Sequence, residues 1–325
     1  MSPIVNIKIG GCGGLYHYYF GIMSAIQDAL NIEDIQFETS SGSGFPVGVC
    51  YSNLPMRQCY RLWEARKYSL FRNMPFLSSD KQVFYDMVFA HTYELCRISE
   101  REFGKSCYNG IHTIVITNED TDKKELVTSF QSSEDYTHCL TASSSIPLPL
   151  TSSWSITTRG GRMYFDGSLS KIWYKPFILI IVFIFITIIV SCIIDTNKVL
   201  LFAYISLTLY YIFNSTYNSG TDSKLLKNNN DLQTIVLETN TLRGNAPYGG
   251  FFSSIYYMII GLYKDEDWMY YRGREDCNQI LIPKLKAIGV RNRPLSQLLS
   301  TRIDPLISTL HTRFDSRLHQ FVENQ

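Results

Sequence analysis

The sequence has no excess of charge: 30 lysines and arginines stand against 29 aspartates and glutamates, a net +1. So balanced a chain has no overall field to draw it to nucleic acid or another polyanion, and no nucleic-acid partner is expected. It lacks a C-x-x-C pair. The eight cysteines, at 12, 50, 59, 96, 107, 139, 192 and 277, are scattered, with no histidine at zinc-finger spacing. That argues against a zinc site or a disulfide framework and fits a reducing compartment. MSPIVNIKIGGCGG is not a basic start followed by an apolar stretch, so no secretory signal is expected there. No internal repeat is visible, and no metal or cofactor is expected.

Charge is also missing from 177 to 194, FILIIVFIFITIIVSCII, and, after DTNK, from 199 to 213, VLLFAYISLTLYYIF. The first run meets the length of a spanning helix; the second is short. A buried strand followed by a core helix is the alternative, but uncharged runs this long favour membrane insertion. Lys171 and Lys175 precede the pair, Lys224 and Lys227 follow it, and Lys198 sits in the connector. The positive-inside tendency then puts both ends in the cytoplasm and makes 177–213 a hydrophobic helical hairpin, whether spanning, re-entrant or interfacial.

The rest is patterned as an α/β chain. IVNIKI (4–9) alternates as a first strand, GGCGG follows, and LYHYYFGIMSAIQDALN has helical spacing. A short apolar entry at 35–37 leads into FETSSGSG (37–44), and FPVGVCYSNL leads away. Strand, glycine loop, helix, strand, tight turn and helix open a mostly parallel sheet. Residues 54–108 look helical; 111–120 and 124–130 read as two strands, 134–144 as a helix, RMYFDGSLS as a short strand ending in Asp-Gly, and LQTIVLET as another strand. The expected division is a core over 1–176, the hairpin over 177–213, a polar linker over 214–231, and a last core strand with C-terminal helices over 232–325.

A nucleophilic serine needs a strained strand-to-helix turn, donors for an oxyanion, and a base. Against the elbow pattern G-x-S-x-G the best register is Glu38-Thr39-Ser40-Ser41-Gly42, with Glu38 where the first glycine belongs. An ordinary Ser/Gly turn is the competing reading. Gly10-Gly11-Cys12-Gly13-Gly14, between a strand and a helix, can offer backbone N–H groups to an anion. A nucleotide-binding loop is the alternative for that segment. Leu15-Tyr16 stand where a P-loop has its lysine and hydroxyl residue, and Tyr16 also breaks the dinucleotide fingerprint.

Taken in order, the glycine loop, the serine knot and ASSSIPLPL…RMYFDGSLS (142–170) resemble the patatin-like phospholipase family, in particular its adiponutrin-type lipid acyl hydrolases. Gly11-Cys12-Gly13 is similar to their Gly-Cys-Gly core, and Tyr16-His17 to the Tyr-His of their next helix. Ala142-Ser143-Ser144-Ser145-Ile146-Pro147 is similar to the family's Ala-Ser-x-x-x-Pro lead-in, and Tyr271-Arg272-Gly273-Arg274-Glu275-Asp276 to its Tyr-x-x-Gly-x-x-Asp helix start. The likeness covers about 4–176 well and 232–290 loosely.

The resemblance implies a three-layer fold around the sheet and a Ser–Asp dyad of Ser40 and Asp166, with Gly11, Cys12 and Gly13 at the oxyanion hole. Gly10, Gly14, Gly42 and Gly167 complete the motifs. It implies hydrolysis of a phospholipid or acylglycerol at a membrane, with acyl transfer to an alcohol as a variant, and a catalytic part facing the cytoplasm. A dyad needs no histidine; His311 and His319 follow Ser and Asp in triad order but in a tail without motifs. Two departures stand out. Ser168 follows Asp166-Gly167 where the family has Gly or Ala. Glu38 replaces the elbow glycine, and a bulky group there implies the alternative of a catalytically impaired patatin fold that binds lipid or membrane partners.

Overall fold

The computed structural model describes residues 3–12, 15–52, 54–72, 81–103, 111–145, 156–157, 161–168, 232–237 and 267–294. All of them belong to one of the chain's two compact units, formed by Met1–Ser168 and Leu232–Gln325. The second unit, Leu169–Asp231, contains the expected hairpin and linker, which lie outside the described residues. Among the described residues no helix is long and apolar enough to cross a membrane.

The chain opens with β1 (Val5–Ile9), whose alternation sends Val5, Ile7 and Ile9 fully into the core. The helix that follows, α1 (Tyr16–Ala29), is buried from Tyr16 to Gln27. A helix covered nearly all round is a core helix, so its aromatic density has somewhere to go. After it come β2 (Ile35–Ser40), α2 (Gly44–Tyr51), the helices α3 (Met56–Arg72) and α4 (Lys81–Phe103), β3 (His112–Asn118), β4 (Lys124–Val127) and α5 (Ser133–Ser143). Then follow β5 (Ile156–Thr157), β6 (Met163–Asp166), β7 (Gln233–Leu237), α6 (Asp267–Asp276), a π-helical turn (Cys277–Leu281) and α7 (Ile282–Ala287).

The sheet runs β5-β6-β3-β2-β1-β7, with β4 also on β3. β7, β1, β2 and β3 are parallel neighbours; β4, β5 and β6 are antiparallel additions. The expected mostly parallel α/β sheet is therefore present, and the strand foreseen in LQTIVLET returns beside β1, pairing Val5 with Gln233 and Ile9 with Leu237. The two-residue β5 had no sequence signal.

The C-terminal helix start earns its pattern by fitting α1. A methyl group on Gly21 would fall 2.0 Å from the Tyr270 carbonyl oxygen, and one on Gly273 would fall 2.0 Å from that of Tyr18. The two helices therefore cross backbone to backbone. Beside the crossing the Tyr18 hydroxyl donates to Asp276 at 2.9 Å, and the Tyr270 hydroxyl to Ser24 Oγ at 2.9 Å. The tyrosine that faces α1 is Tyr270; Tyr271, with which the resemblance was drawn, is 45% exposed.

Candidate active site

β2 stays extended through Ser40 (φ −134°, ψ 148°), and the chain turns at Ser41, whose φ is +62°. Left-handed backbone costs a serine about 1–2 kcal/mol, so something must hold it there. The Ser41 N–H donates to Ser143 Oγ at 2.9 Å, while that hydroxyl donates to the Val115 carbonyl at 2.7 Å. Ser143, at the end of α5, thus ties the turn to β3. Ser43 closes the short helical turn Ser41–Ser43 by donating to the Ser40 carbonyl at 2.8 Å. Its hydroxyl is spent on backbone, which removes it as a nucleophile candidate.

Asp166 ends β6 and reaches the turn through β3. Ser40 pairs with Val115 and Asp166 with Ile116, consecutive residues of one strand. The serine-rich lead-in holds it from behind: the Asp166 N–H donates to the Ser145 carbonyl at 3.1 Å, and the Gly167 N–H to that of Ser143 at 3.2 Å. Gly167 must be glycine, since a methyl group there would lie 1.9 Å from the Val115 carbonyl oxygen.

Burial pushes the Asp166 carboxyl up to about 6 from an ordinary 3.8. Opposing that rise are, first, the Ser41 side chain, then the Ser168 N–H and side chain, and the charge of Lys124. The Ser168 N–H donates to Asp166 Oδ1 at 2.7 Å. Among the described residues no histidine bonds to Ser40, Ser41 or Asp166. His112, the nearest in sequence order to the elbow's strand partner, shares hydrogen bonds with Thr39 Oγ1 (2.7 Å) and the Tyr136 hydroxyl (2.6 Å). Burial drives it down to about 3, so it is a neutral prop under the turn.

The glycine loop runs past the same point. A methyl group on Gly11 would fall 2.2 Å from Ser168 Oγ and 3.2 Å from the Ser41 Cβ. The Gly10 N–H is committed to the Leu237 carbonyl (3.2 Å), which fixes the loop's start to β7. Cys12 is fully buried, and burial together with the Asp166 charge raises its thiol well above the usual range. It stays protonated and does not compete as a nucleophile. Gly13 and Gly14 lie outside the described residues.

The strained position is Ser41, one residue after the expected Ser40. Ser40 is the last residue of the strand, and its Oγ accepts from Ser168 Oγ at 3.0 Å. Glu38, at the elbow motif's first position, lies inside β2 opposite Lys8 of β1, and their side chains form an ion pair at 3.0 Å. Gly42 sits within the short helical turn. Sequence reasoning missed Ser143 as a clamp, although the lead-in motif that contains it was visible.

No family model matches the chain, and no curated protein matches it.

Proposed function

We propose that the chain is a serine lipid acyl hydrolase of the patatin-like type, a three-layer α/β fold, in which Ser41 is the nucleophile and Asp166 its base. The observation that carries this reading is the left-handed Ser41 at the end of β2, which the Gly11 backbone passes, with the buried Asp166 paired to the next residue of β3 and its carboxyl pKa lowered by the Ser41 side chain. A strained strand-to-helix serine next to its base is what nucleophilic acyl transfer requires.

Ser41 Oγ attacks the ester carbonyl as its proton passes to Asp166. Backbone N–H groups of the loop at Gly11 and Cys12 take the negative charge on the carbonyl oxygen, aided by the N-terminus of α1. Collapse expels the alcohol, which receives the proton from Asp166 and leaves an acyl-Ser41. Water then gives a proton to the same carboxylate and attacks the acyl carbon. As the bond to Ser41 Oγ breaks, Asp166 returns that proton to Ser41 Oγ and the fatty acid leaves; an alcohol in place of water makes the reaction an acyl transfer. A base near pH 6 is suited to both proton transfers at neutral pH.

The lipid substrate rests on the family resemblance and on the uncharged runs at 177–194 and 199–213, which follow closely on Asp166. They would hold the site against a membrane with the catalytic part on the cytoplasmic side and so raise the local concentration of phospholipid or acylglycerol. The Lys8 pairing favours an active enzyme over the impaired alternative, since Glu38 is neutralised inside the sheet and leaves the turn clear. A second reading, with Ser40 as nucleophile, is favoured by its hydroxyl contact with Ser168.

Hydrolysis of a fluorogenic acyl ester and of phospholipid vesicles by wild type, Ser41→Ala and Ser40→Ala separates these readings. Loss of at least about a thousandfold in Ser41→Ala, against about tenfold or less in Ser40→Ala, is expected. The reverse order makes Ser40 the nucleophile. Equal hydrolysis by all three removes the serine mechanism, and no hydrolysis by wild type supports the impaired alternative.

A further inference from the structure

We propose that Ser168, resting on the reading of Ser41 and Asp166 as a dyad, is a positioning residue that aims the Asp166 carboxylate at Ser41 and keeps the neighbouring Ser40 hydroxyl engaged elsewhere. Two adjacent serines, Ser40 and Ser41, stand at the turn beside one buried carboxylate's strand, and a selective nucleophile needs a device that tells them apart. Ser168 makes three contacts that do so. Its N–H fixes Asp166 Oδ1 at 2.7 Å, which leaves the other carboxylate oxygen for a different partner. Its hydroxyl stands 3.0 Å from Ser40 Oγ. It also fills the space over Gly11 that any side chain on that residue would take, so the glycine loop and the serine are fitted to each other.

Beside the N–H, the Ser168 side chain also favours the charged form of the carboxylate. The other groups facing Asp166 are few. Lys124 on β4 and the Ser41 side chain on the turn lower its pKa, and the Cys12 thiol on the glycine loop is protonated. None of them replaces a hydroxyl lost at 168. Removing that hydroxyl while leaving the backbone N–H in place should therefore move the carboxyl upward without dismantling the site.

The test is Ser168→Ala, read by the pH profile of kcat/KM on an acyl ester and by a ¹³C NMR titration of labelled aspartates, in which Asp166→Asn identifies the resonance. Loss of a polar group from beside a buried carboxylate shifts such an equilibrium by about one pH unit. The acid limb and the Asp166 titration are both expected to move up by that amount. kcat/KM then falls about fivefold at pH 6 and recovers at pH 9, and KM is unchanged. Ser168→Thr, which keeps the hydroxyl, is expected to restore the wild-type titration. An Asp166 titration that is the same in wild type and Ser168→Ala overturns the proposal, even where Ser41→Ala abolishes activity and the dyad reading stands. Where wild type shows no hydrolysis, the dyad reading fails separately, and the NMR titration still decides whether Ser168 acts on Asp166.

Discussion

Replacing Asp166 with asparagine should make the protein more stable at neutral pH while it loses activity. The carboxyl is 1% exposed and titrates at about 6, against an ordinary 3.8 in an unfolded chain. Two pH units correspond to about 3 kcal/mol of destabilisation when the folded protein must carry the charge. The sign follows from proton counts. Between pH 4 and 6 the folded state holds a proton that the unfolded chain has released, so this group's contribution to stability falls as pH rises through that interval. Above 6 the loss is complete and constant. Asparagine has no such dependence but accepts the Ser168 N–H less strongly than a carboxylate does, which subtracts about 1 kcal/mol. The expected gain is about 2 kcal/mol at pH 8, falling to zero or slightly below at pH 4. Urea unfolding of both proteins at the two pH values measures it, since other titrating groups cancel in the difference. A variant no more stable than wild type at pH 8, or a gain that persists at pH 4, would refute the claim that Asp166 is held ionised at the expense of stability.

Gly167→Ala should press the Val115 carbonyl away from β6, lowering stability by about 1–3 kcal/mol. It should cut kcat by about a hundredfold through the shift of Asp166, measured by denaturation and ester hydrolysis. Gly273→Ala should lower stability by a similar 1–3 kcal/mol, because the new methyl group meets the Tyr18 backbone rather than a movable side chain. It lies away from the site, so the folded fraction should keep its specific activity. Lys8→Ala should leave Glu38 buried without its cation; a loss of about 3–5 kcal/mol is expected by urea titration, and Lys8→Ala/Glu38→Gln should recover most of it.

The order of elements was legible because each carries its own period: the alternation of VNIKI, the helical spacing after the glycine loop, and the Asp-Gly that ends β6. The register of the serine knot was not. Gly42 is the glycine that a G-x-S-x-G template finds, and it selects Ser40. The turn itself is set by where β2 leaves β3, at the pairing of Ser40 with Val115, and by the Ser143 hydroxyl from α5 that catches the next N–H. Both are long-range contacts with no local signature. Glu38 likewise reads as an intruder in the motif until Lys8 of the neighbouring strand is placed opposite it. The Tyr-x-x-Gly-x-x-Asp pattern was visible in the sequence, but its meaning, a backbone-to-backbone crossing with α1, needed Gly21 as the other half.

With Ser41 as the nucleophile and Asp166 as its base, Ser41 should react covalently with an activated acyl or phosphonyl group. Labelling the full chain with a fluorophosphonate probe and mapping the modified peptide by mass spectrometry tests it without a choice of lipid. One adduct is expected, on Ser41, absent in Ser41→Ala, strongly slowed in Asp166→Asn and retained in Ser40→Ala. An adduct on Ser40, or no adduct on the folded wild type, would contradict it.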